Sequence, residues 1–260
     1  MTEAEKLFNQ VFKRWTERQS FILSFRVTSD QGIEAARQKV RAEKVRFVND
    51  LIQGGEYDKL FLDKARFIQA MPPEKLVEKM TEATVRHAQV AVDAASIIFA
   101  HSFLDGAAFD YCRVTALVAP RDWESVLDQR QIKLSEAREL GYDEALRKKL
   151  DEYLEQLERE SLLKKADLLF ARCLPPEKWS PMRTYTYDRD RLKRLDDYRH
   201  EIIHGDSIEH GIKNASEEVD YMSRTVLFLM GLVNLRYKLM IDPFYSLTGQ
   251  EMPIPPVAQK

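Results

Sequence analysis

The run Arg199-His200-Glu201-Ile202-Ile203-His204-Gly205 holds two overlapping arrangements of reactive side chains. Read from His200, it spells His-Glu-x-x-His. Two histidines four apart on a helix lie about 40° from each other around the axis, so both rings can bind one ion while Glu201 acts as general base toward metal-bound water. Read from Arg199, it spells arginine, four residues, histidine, then glycine. That arrangement needs no metal, because imidazole exchanges protons near neutral pH and guanidinium offers planar, permanently charged donors to phosphate. Cleavage of RNA by its own 2′-hydroxyl asks for those functions: a group that takes the hydroxyl proton, a cation beside the crowded phosphorane, and a proton for the leaving 5′-oxygen.

The metal reading reaches one residue further, since His210 stands where the longer zinc-protease pattern places a third ligand. Three features oppose it. Ser207 occupies the position of the turn glycine, Gly205 would end the helix directly after the second ligand, and almost no strand precedes the motif to build a β substrate edge. The expectation is a site with neither metal nor other cofactor.

Upstream lies "MRTYTYDRDRLKRLDDYRH", where cations alternate with aromatic rings. Arg183, Arg191 and Arg194 are expected to hold phosphates and Tyr185 to stack a base, with Arg189, Lys193, Tyr187 and Tyr198 beside them. Asp188, Asp190, Asp196 and Asp197 dilute the patch, so an ordinary salt-bridged surface helix is the competing reading. The formal net charge of −2 supplies no global basic field, and any nucleic-acid contact must come from such a local patch.

These residues must be positioned by helices. Nine glycines and ten prolines in 260 residues leave few breakers, and those cluster between long segments of helical periodicity, so the fold is expected to be all-α. Residues 3–25 put Leu7, Phe8, Val11, Phe12 and Trp15 on one face, and residues 31–52 repeat this with Ala36, Val40, Val45, Val48 and Leu51 before Gly54 and Gly55 close the helix. A short helix near 57–70 ends at Met71-Pro72-Pro73, whose prolines suit a first helical turn. From Pro73 to about Val118 the chain is apolar on nearly all sides, as in the central helix of a bundle.

Asp93, His101, Asp105 and Asp110 interrupt that helix. His101 and Asp105 are four apart and can face each other, either as a satisfied buried pair or as a support for the site. Residues 142–173 read as one charged amphipathic helix with Leu146, Leu150, Tyr153, Leu157 and Leu162 on its stripe; helices at 188–204 and 216–241 flank a loop at 205–214. The organisation is thus an N-terminal helical segment (1–72), a helical domain (73–242) and a flexible Pro-rich tail (243–260).

Cys112 and Cys173 sit in apolar helical stretches, as buried thiols in a reducing compartment would. No signal peptide opens the chain, and the apolar run "VLFLMGLVNLRYKLMI" is interrupted by Asn234, Arg236 and Lys238, so a cytoplasmic protein with no membrane span is expected.

"YRHEIIHG", ending an amphipathic helix in an all-α chain, resembles the HEPN family (higher eukaryotes and prokaryotes nucleotide-binding). The resemblance covers about 73–241 and implies a small helical bundle acting as a metal-independent endoribonuclease, with Arg199 and His204 catalytic and His200 assisting. His200 departs from the pattern, because asparagine is common there. On a straight helix Arg199 and His204 diverge by about 140°, so one copy does not close a site. The resemblance implies a homodimer whose two arginine-histidine pairs share a cleft, with RNA as substrate and an antitoxin or other protein as possible partner, in toxin-antitoxin systems, phage defence or RNA processing. The alternative it leaves open is a catalytically silent bundle that binds nucleotide, RNA or protein and contributes dimerisation.

Overall fold

The computed structural model describes residues 1–58, 71–127, 132, 134–173, 186–204 and 214–242. Every regular element among them is helical: α1 (Glu3–Gln53), α2 (Pro73–Val118), a 3-10 turn (Pro120–Trp123), α3 (Glu124–Leu127), α4 (Leu134–Leu140), α5 (Tyr142–Leu157), α6 (Leu162–Cys173), α7 (Arg189–His204) and α8 (Ala215–Tyr237). The all-α expectation holds.

Helix α2 is the axis of the molecule. Its centre is apolar on all sides, so Ile97, Leu104, Ala108, Tyr111, Cys112 and Val114 are fully buried, and α1, α5, α6, α7 and α8 pack around it. Burying each large apolar side chain contributes about 1.5–3 kcal/mol, which makes this seam the main driving force of the fold. The same helix holds the most membrane-like 18-residue window among the described residues, rather than the 226–241 run that sequence reading had singled out. Under half of that window is buried within the molecule.

The polar residues of α2 tie it to its neighbours. Asp93 takes Arg26 of α1 at 3.0 Å, Asp110 takes Arg14 of α1 at 2.9 Å, and Asp105 takes Lys165 of α6 at 2.7 Å. Each partner comes from another helix, because a carboxylate inside an apolar seam costs several kcal/mol unless a cation reaches it.

Helix α1 differs from expectation in running unbroken through residues 26–30. The stretches 3–25 and 31–52 read as separate helices, yet Arg26 pairs with Asp93 and Asp30 accepts a hydrogen bond from Gln89 at 3.2 Å, so contacts with α2 hold the stretch between them helical. Its ends follow local chemistry. Thr2 and Glu5 form a reciprocal capping box, and Gly54 ends the helix before Gly55 turns left-handed at φ 65°. Phe8, Val11 and Ile22 join the main core, whereas Val48 packs with Tyr57 and Val77 in a small second core. The first half of α1 therefore belongs to the same packed body as 73–242.

The charged segment 142–173 is two helices rather than one. Residues 158–161 turn, with the Arg159 amide on the Gln156 carbonyl (3.1 Å) and the Lys164 amide on Ser161 Oγ (3.3 Å). Ser161 starts α6 as an N-cap would. Helix α8 stops at Tyr237 rather than 241, because Lys238 turns left-handed (φ 54°) and the following strap bonds to buried Asn9 of α1 through Met240 and Asp242. Both cysteines are free and buried, and burial pushes the Cys173 thiol up to about 12. Of the expected helix at 57–70, Tyr57 and Asp58 lie in a turn and residues 59–70 fall outside the described residues, as do the loop at 205–213 and the tail from 243.

Candidate functional site

Helix α7 begins at a firm anchor. The Asp188 carboxylate accepts the Arg191 amide at 2.9 Å, and the Tyr221 hydroxyl of α8 bonds both the amide (3.0 Å) and the carbonyl (2.8 Å) of Asp188. Leu192 and Leu195 then dock the helix on the core. Helical spacing continues this inward stripe through Asp196 and Arg199, while Lys193, Asp197, His200 and His204 fall on an outward stripe.

The inward stripe ends in a polar cluster. His101 of α2 is buried, with Nε2 at 3.0 Å from Asp196 Oδ1. The contact lacks hydrogen-bond alignment, and neither ring nitrogen of His101 has a hydrogen-bond partner among the described residues. Burial lowers the His101 pKa below its usual value; Asp196 works against that shift, and Arg199 adds to it. The ring is therefore held neutral near pH 7. Arg199 Nε is buried beside this cluster, again without a hydrogen-bond partner among the described residues.

The expected His101–Asp105 pair is replaced by two separate ones, His101–Asp196 and Lys165–Asp105. The physical reason is Lys165, which is 1% exposed and needs a full negative charge. It takes Asp105, donates a further hydrogen bond to the Glu158 carbonyl at 3.0 Å, and lies 5.9 Å from the Phe109 ring centre. Asp105 still acts on His101 electrostatically, in the direction opposite to Arg199. The cluster thus balances two carboxylates against one ammonium and one guanidinium around a neutral imidazole.

The outward stripe ends differently. His200 and His204 are both exposed, and their ring centres lie 4.2 Å apart with the planes tilted by 50°. Neither makes a hydrogen bond or an ion pair among the described residues. The helix thus brings His200 to His204 and sends Arg199 away from both. No group of three histidine, cysteine or acidic side chains in metal-binding arrangement occurs among the described residues, and Gly205, Ser207 and His210 lie outside them.

Two cations of the basic stretch, Arg189 and Arg191, are paired with carboxylates of neighbouring helices. Arg189 clasps Asp167 through two nitrogens, and Arg191 reaches Glu218 at 2.8 Å while lying 4.2 Å from the Tyr221 ring centre. Arg194 is exposed and lines, with Arg191, Asp197, Glu201 and Glu218, an open cleft of about 480 Å³ whose carboxylates outnumber its arginines. Tyr187 packs on Phe170 at 4.2 Å and on Phe228, and Tyr198 is partly buried on the core, so these rings are committed to the bundle. Arg183 and Tyr185 lie outside the described residues.

Sequence reasoning passed over Asp196 and Lys165 as members of the site. Both carried a signal: each is a charge on an apolar stripe, Asp196 beside Leu192 and Leu195, and Lys165 among Leu162, Ala166 and Leu169. Compared with protein-family models, curated proteins and solved structures, the chain matches none.

Proposed function

We propose that the C-terminal turn of α7 is an RNA-cleaving surface, and that the chain acts as a metal-independent endoribonuclease of the HEPN type, with Arg199 and His204 catalytic and His200 assisting. The observation that carries this reading is the exposed imidazole pair at 4.2 Å, unpaired among the described residues, on the helix end that also carries Arg199, whose Nε has no hydrogen-bond partner among those residues. Two adjacent imidazoles can divide the work, one taking the 2′-hydroxyl proton and the other returning a proton to the 5′-oxygen. Because Arg199 and His204 lie on different stripes, a complete site needs the arginine of one copy beside the histidines of another. RNA is the substrate, a homodimer is the active form, and an antitoxin or similar protein is the kind of partner such a cleft would accept.

A second reading has its own support. The burial of Arg199 Nε near His101 suits a structural arginine, and with it a catalytically silent bundle that binds nucleotide, RNA or a protein.

Structured and unstructured RNA, incubated with the full chain in excess EDTA, decides between them. Cleavage should survive chelation and disappear in both Arg199→Ala and His204→Ala. Mixing the two inactive variants should restore activity, since one of the two shared sites then keeps an intact arginine and histidine. No cleavage by the unmodified chain, with RNA still bound, would establish the silent bundle; cleavage only with added zinc would transfer the chemistry to His-Glu-x-x-His.

A further inference from the structure

The outward stripe of α7 ends in two ring-bearing ligands rather than one. We propose that His200 and His204 form a two-imidazole chelate for a borderline divalent transition ion (Cu²⁺, Ni²⁺ or Zn²⁺), and that an ion held there silences the chemistry of α7 instead of driving it. The second half rests on the proposed ribonuclease reading; the first does not.

The geometry carries the chelate. Nitrogen binds such ions at about 2.0–2.1 Å, which places two neighbouring ligand nitrogens about 3 Å apart. Ring centres at 4.2 Å on consecutive helical turns reach that spacing by small side-chain rotations. Both rings are exposed and neither is engaged by a hydrogen bond or ion pair among the described residues, so binding breaks no existing interaction. Exposed Asp197, one turn back on the same stripe, adds favourable charge. Affinity should follow the order Cu²⁺ above Ni²⁺ and Zn²⁺.

Silencing follows from the ligand count and the lone pairs. Catalytic zinc sites hold their ion by three protein ligands, and α7 offers two. The imidazole lone pair that binds the ion is the one that must accept the substrate proton, so metal and proton compete for one orbital. The ion would therefore bind reversibly and occupy both proton carriers together.

The test uses the full chain without RNA, titrated with Cu²⁺ or Ni²⁺ by calorimetry, with electron paramagnetic resonance of the copper form to count nitrogen ligands. One ion per chain with two-nitrogen ligation is expected. Its affinity should fall by at least about tenfold in either His200→Ala or His204→Ala, and stay unchanged in His87→Ala, which removes another exposed histidine. Equal binding by the single variants and the unmodified chain overturns the chelate. Adding the ion to a cleaving preparation should abolish cleavage, and EDTA should restore it; cleavage by the saturated protein overturns the silencing. A chain that binds the ion yet never cleaves RNA overturns the silencing together with the ribonuclease reading, and leaves the chelate standing.

Discussion

The two stripes of α7 carry nearly the same residue types under opposite conditions. On the inward stripe the half-buried Asp196 and Arg199 meet buried His101, and burial drives the imidazole neutral. On the outward stripe Asp197, His200 and His204 meet water, where no partner is required. The same chemistry is structural where it packs on the core and available where it faces solvent. Reactive capacity on this helix is thus set by 100° steps around its axis rather than by residue identity.

The largest expected effect comes from breaking the inward side. Asp105→Ala leaves the buried Lys165 ammonium unpaired and should destabilise the fold by about 3–5 kcal/mol, measurable as a shift in the urea midpoint. A loss below about 1 kcal/mol would mean that the Glu158 carbonyl and the Phe109 ring suffice for Lys165.

The next effect is one of pH. The folded-state pKa of His101 lies below its unfolded value, so the unfolded chain takes up more protons over the window beneath about 6.5. The contribution of His101 to stability is complete above that value and is lost as pH falls below it. Unfolding free energies measured down that range should decline, and His101→Gln should flatten the decline. An identical slope in the variant would remove His101 as its source.

The smallest effect on stability belongs to the outward side. His204→Ala should leave the unfolding midpoint within about 0.5 kcal/mol of the unmodified chain while removing RNA cleavage. A large destabilisation instead would mean that the ring holds the end of α7, and the contrast between the stripes would fail.

The fold was legible wherever the signal is local. The all-α class, the closure of α1 at Gly54, the first turn at Pro73 and the span of α2 to Val118 all follow from periodicity and end residues. The joining of 3–25 with 31–52 was not legible, since Arg26 and Asp30 find their partners on α2, more than fifty residues away. The break at 158–161 had two local cues, Ser161 and the five-residue step from Leu157 to Leu162, which on one straight helix would turn the apolar stripe by about 140°. Within the site, adjacency of His200 and His204 and divergence of Arg199 are consequences of helical spacing alone.

Sequence alone settled that α7 would be a helix, that its last turn would bring two imidazoles together, and that its arginine would point elsewhere, because backbone periodicity needs no partner. Which stripe would be buried, and which charge would neutralise which, came only with packing. His101 meets Asp196 rather than Asp105 because the buried ammonium of Lys165, delivered by a separate helix, takes that half-buried carboxylate. Pairing of that kind depends on distances between remote segments, and a one-dimensional pattern does not encode them.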